Sequence, residues 1–185
     1  MQFKRKLTLL ALLLLLSTTR LLAQGRFHSY LLSTDAIIEK SSSTGAHFTT
    51  EVAALQKQND DVALRAVSDK YVRLWSNLLA EAEQIDPPKE ATKHLSSLKR
   101  LLNLRKENNE VMLGFLGSRL ALIQDLQKLK QEGATDEVLQ AHLKANPLDR
   151  ERFLKQNQRI RKEIQQSHRS LLSERAKLDE ISKIK

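Results

Sequence analysis

Residues 60–88, DDVALRAVSDKYVRLWSNLLAEAEQIDPP, decide the fold class. Within them Leu64, Val67, Tyr71, Leu74, Trp75, Leu78, Ala82 and Ile85 recur at spacings of three and four. That is one continuous apolar stripe along a helix. Asp60 can cap the start, because a carboxylate accepts the orphan N–H groups of a first turn, and Asp86-Pro87-Pro88 ends the run. The spacing predicts a helix over residues 61–85. The same prolines can open the next helix, with Asp86 as cap and Pro87 at the first helical position, where no N–H is needed.

Beyond the prolines a long helical pattern covers residues 87–131, carried by Leu95, Leu98, Leu101, Leu102, Met112, Phe115, Leu116, Leu122, Ile123, Leu126 and Leu129. Its apolar face thins at residues 105–109. Arg105, Asn108 and Asn109, with Arg119 further on, allow three readings: emergence of the helix from a bundle, a polar groove, or a turn. Emergence is the preferred one. Gly133 stands where a C-terminal glycine is expected. Residues 135–144 read as a short helix capped by Thr135, and Asn146-Pro147 as the cap and first position of a last helix. In that helix Phe153, Ile160, Ile164, Leu171, Leu178 and Ile181 follow a seven-residue repeat, a narrow seam able to pack on one or two helices.

Toward the N-terminus Leu31, Ile38, Phe48, Val52 and Leu55 keep one helical register. Ser41-Ser42-Ser43-Thr44-Gly45 interrupts it with weak helix formers, so one kinked helix and two short ones are both compatible. Residues 1–6 are basic through Lys4, Arg5 and Lys6. A run of ten residues, almost all leucine, follows over 7–16, then Ser17-Thr18-Thr19 and Arg20, ending at Leu21-Leu22-Ala23. A basic start, a short apolar core and a small last residue are the pattern of a secretory signal peptide. The run is shorter than the roughly 20 residues a membrane-spanning helix needs.

The chain has no cysteine, so packing alone must hold it. Three prolines and five glycines leave little punctuation for strands, and 4% aromatic with 29% charged residues favours long helices. The net charge of +9 is uneven: residues 26–86 sum to −3 and residues 89–185 to +8. The expectation is an all-α chain, an antiparallel helical bundle with long helices whose C-terminal half is a coiled-coil-like hairpin. Residues 1–23 are its signal peptide, 24–107 a slightly acidic bundle, and 108–185 a basic hairpin or arm that can be continuous with it.

Chemistry-bearing patterns are sparse. His28, His47, His94, His142 and His168 form no H-E-x-x-H pair, and Glu90/His94 has ordinary helix-face spacing. Ser96-Ser97-Leu98-Lys99 has the S-x-x-K form, but it sits on an amphipathic helix and reads as a solvated face. No catalytic residue, metal ligand or cofactor is expected. Gly114 and Gly117 lie inside a helical pattern, where close approach of another helix or a hinge would explain them. Trp75 reads as core.

The basic residues Arg152, Lys155, Arg159, Arg161, Lys162, Arg169 and Arg175 form the candidate interaction surface. The expected partner is a protein or an acidic surface of the bacterial envelope. Nucleic acid is not expected, since export separates the chain from it and no aromatics interleave the bases. Self-association through the heptad seam is a further expectation. These features describe an exported, non-enzymatic interaction or adaptor protein, periplasmic or extracellular. Signal peptide, basic mature chain, length and long helical arms are also similar to the Skp/OmpH-like periplasmic chaperones, which implies a holdase as the alternative. Those chaperones pair their arms with a small β-body, for which no strand pattern is seen here.

Overall fold

The computed structural model describes the backbone of residues 2–184 and the side chains of residues 24–183. The described residues form α1 (Gln2–Gln58), α2 (Asp61–Glu83), α3 (Thr92–Gln131), α4 (Asp136–Ala145) and α5 (Arg150–Ile184), with a 3-10 turn at Lys89–Ala91 and no strand among them. The all-α bundle is the observed architecture. The signal peptide expected at residues 1–23 lies outside the residues whose side chains are described.

The link between α1 and α2 is two residues long. Asn59 takes a left-handed φ of 53°, which asparagine tolerates better than most residues. Asp60 caps α2 as expected, its Oδ1 accepting from the Ala63 N–H at 2.9 Å. So short a link turns α2 back along α1. The ion pairs Glu51–Lys70 (2.9 Å) and Lys40–Glu81 (2.7 Å) follow that antiparallel register.

The stripe on α2 buries Leu64, Tyr71, Trp75, Leu78 and Ala82, while Leu74 lies at its edge and is 37% exposed. The two prolines do not start the next helix. Pro88 is extended (φ −61°, ψ 153°), a 3-10 turn follows, and Asp86 pairs with Arg26 at 2.6 Å instead of capping.

Two further expectations are corrected. Asn108-Asn109 is not a turn, because α3 runs unbroken from Thr92 to Gln131. The last helix is not capped by Asn146. Asp149 Oδ1 accepts the Arg152 N–H at 2.9 Å, whereas Asn146 closes α4 by donating to the His142 carbonyl. Gly133 (φ +84°) does end α3, with the left-handed backbone that favours glycine.

α5 runs antiparallel to α3, as the Phe115–Phe153 stack (4.3 Å between centroids) and the pairs Glu107–Arg159 (3.2 Å) and Arg100–Glu163 (3.8 Å) show. It then continues to α1, where Arg175 reaches Asp35 at 2.8 Å. Four long helices, α1, α2, α3 and α5, therefore alternate in direction around one core. Ile160, Leu171 and Leu178 are 0%, 1% and 2% exposed, and Leu171 and Leu178 share a cluster with Trp75, Leu98 and Leu102. The second half of α5 is thus a wall of the bundle and not an arm beyond it. A smaller cluster of Val52, Leu64, Met112 and Leu116 packs nearer the other end. Only α4, which buries no residue, and the helix ends joined to it form an arm-like tip.

Candidate functional site

Helical periodicity sorts the seven basic residues of α5 into different environments. Ile160, Ser167, Leu171 and Leu178 define its buried face. Lys155, Lys162 and Arg169 project opposite that face, Arg159 lies on the flank toward α3, and all four are exposed. Arg152 and Arg161 lie on its two flanks. Arg175 faces inward: both its terminal and its Nε nitrogens hold Asp35, at 2.8 and 3.1 Å, and it also binds Asp179 at 2.7 Å. It is therefore an internal tie between α5 and α1. Arg159 is held by Glu107 and Glu163, and Lys155 by Glu151. Among the described residues Arg152, Arg161, Lys162 and Arg169 have no carboxylate at ion-pair distance.

The heptad seam is filled within one chain by α3 and α1, so its central residues are not free to pair with a second copy. Gly114 and Gly117 do not mark a close helix approach. A Cβ at Gly114 would meet nothing within 4 Å, and one at Gly117 would only touch the Arg65 side chain at 4.0 Å.

A cleft of about 510 Å³ with a mixed polar and apolar lining opens between α1, α3 and α5, in the layer between the two apolar clusters. Its lining includes Gly45, Thr49, Trp75, Arg105, Asn108, Asn109 and Arg161. Of the three readings of the interruption on α3, the groove is the observed one. Arg105 reaches across to α1, where its Nη1 donates to the Ser41 carbonyl at 2.6 Å, and its guanidinium lies over the Trp75 ring at 5.0 Å. A Cβ at Gly45 would stand 2.7 Å from that Nη1, so the missing side chain makes room for the guanidinium.

This contact ties the Ser41–Gly45 run to α3. Its hydroxyl neighbours bond back to helix carbonyls, Ser43 to Lys40 and Thr49 to Gly45, and do not compete with the helix. Burial pushes the Arg105 guanidinium below its usual pKa, yet an arginine stays charged at neutral pH. Among the described residues no carboxylate lies at ion-pair distance from it. Trp75 Nε1, Asn108 Oδ1 and Asn109 Oδ1 are buried without a hydrogen-bond partner. Asn109 is tied on its other side, donating to the Arg105 carbonyl at 2.9 Å.

A second buried polar group escaped the sequence reading. His94 is in the core and not on a helix face, with Nδ1 2.7 Å from Tyr30 Oη and Nε2 without a partner. Burial chiefly, and then Arg175, hold its pKa below the usual value, while Asp35, Glu174 and Asp179 oppose them. The only available signal was that position 94 precedes Leu95 and Leu98 on an amphipathic helix, which leaves its side ambiguous.

Among the described residues no group of three or more His, Asp or Glu could hold a metal ion, and no helix is long and apolar enough to cross a membrane. No protein-family model, curated protein or solved structure matches this chain.

Proposed function

We propose that this chain is an exported, non-enzymatic interaction protein of the bacterial envelope, which docks an acidic partner on the outer face of α5. The observation that carries this reading is the division of α5. One face is committed to the core, and the opposite one presents Lys162 and Arg169, with Arg152 and Arg161 on the flanks, without carboxylate partners among the described residues. Exposed ion pairs contribute little to stability, so cations left unpaired on a face that packing does not need are available for a partner. The basic, leucine-rich pattern of residues 1–23 supports export.

Titration with a polyglutamate probe tests the surface. Binding should weaken steeply with salt and fall about tenfold or more in Lys162→Glu/Arg169→Glu, while Lys128→Glu/Lys130→Glu on the tip has little effect. Equal loss in both variants would remove the claim for α5.

The holdase alternative is favoured by one feature, the tip. Val138 and Leu143 on α4 and Leu154 near the start of α5 are each exposed large apolar side chains. A holdase should suppress aggregation of an unfolded outer-membrane protein at near-stoichiometric ratio. No suppression would set that reading aside.

A further inference from the structure

A half-buried charge with no carboxylate at ion-pair distance among the described residues is the least expected feature of the bundle. A guanidinium removed from water is stable only when its charge and donors are answered. Arg105 gives one nitrogen to the Ser41 carbonyl and its face to Trp75, both neutral groups. Arg161, also without a carboxylate among the described residues, lines the same cleft from α5. Arg161 is exposed, and two guanidiniums bordering one cleft make it electropositive. Apolar clusters pack on either side of this layer.

We propose that this cleft is a binding site for a small oxyanion-bearing ligand, its carboxylate or phosphate head held between Arg105 and Arg161. A guanidinium presents donors in a planar fork that matches such a head. Of the unpartnered buried atoms in the lining residues, Trp75 Nε1 is a donor that suits an oxyanion, whereas Asn108 Oδ1 and Asn109 Oδ1 are acceptors and would answer an N–H or O–H elsewhere on the ligand. A volume of about 510 Å³ suits a small molecule and is too small for a polymer to fill along its length. The site is distinct from the outer face of α5: Arg161 lies on the flank toward α1, whereas Lys162 and Arg169 point away from the core.

Trp75 is the only tryptophan, so its fluorescence reports this cleft alone. Inorganic phosphate and succinate are titrated separately against the full chain, with sodium chloride at matched ionic strength as the control. A saturable change with phosphate assigns a phosphate head, and one with succinate a carboxylate head. Arg161→Gln should weaken that binding about tenfold, the loss of one charge-assisted pair. Gly45→Ala should weaken it too, by displacing the Arg105 guanidinium, while circular dichroism shows the helices intact. Lys130→Gln, on the tip, should leave it unchanged. No saturable response to either probe, a response equal to that of chloride, or binding indifferent to both Arg161→Gln and Gly45→Ala would overturn the proposal.

Discussion

His94 shows how one buried side chain ties the fold to pH. Its pKa lies below the ordinary value in the folded chain, chiefly because burial penalises the charged ring. The unfolded chain, with a histidine pKa of about 6.5, therefore binds the proton first as pH falls. The stability that His94 contributes is complete above that pH and is lost progressively below it. Urea midpoints measured from pH 7.5 to 5.5 should fall for the native chain and stay nearly flat for His94→Phe. An unchanged slope in the variant would place the titrating group elsewhere. The acid side has a separate origin: the Lys70 hydrogen bond lowers the Glu51 pKa, so that contribution disappears only below the usual carboxylate range. Tyr71, which donates to Glu51 at 3.1 Å, is pushed up to about 12 by burial and by that carboxylate, and remains neutral throughout.

At the scale of elements, the stripe from Leu64 to Ile85 was legible because its spacing is local, and so was the stop at Gly133. The Ser41–Gly45 run and the Asn108-Asn109 pair were not. Both contain poor helix formers, and both border the cleft crossed by a contact spanning 64 residues, Arg105 to the Ser41 carbonyl. Local propensity cannot register such a partner. The same limit hid the direction of Arg175, whose carboxylate partner Asp35 is 140 residues away. The basic character of α5 was visible, but which charges face inward depends on the helix that covers them. Leu171 and Leu154 test that assignment. Leu171→Ala should cost about 2–5 kcal/mol in denaturant unfolding, as for any core leucine. Leu154→Ala, at a 53% exposed position, should stay within about 0.5 kcal/mol. Similar, small effects at both would mean that α5 is a detachable arm.

The whole molecule combines a four-helix core with a short tip and two separate basic features, the outer face of α5 and the cleft at Arg105. Neither repeats a pattern of catalytic residues, so charge placement is what the functional reading rests on. Export makes its own prediction. The intact mass of the protein recovered from its own cells should be lower than the full-length 21.1 kDa by the first 23 residues. A retained Met1 would contradict cleavage.

Docking through α5 is the central claim, and a crosslinked pull-down from those cells tests it most directly. Native chain and Lys162→Glu/Arg169→Glu are compared at equal abundance and equal thermal stability. The partner captured by the native chain should be lost from the variant and released by raised salt. Undiminished capture by the variant, at the same salt, would contradict it.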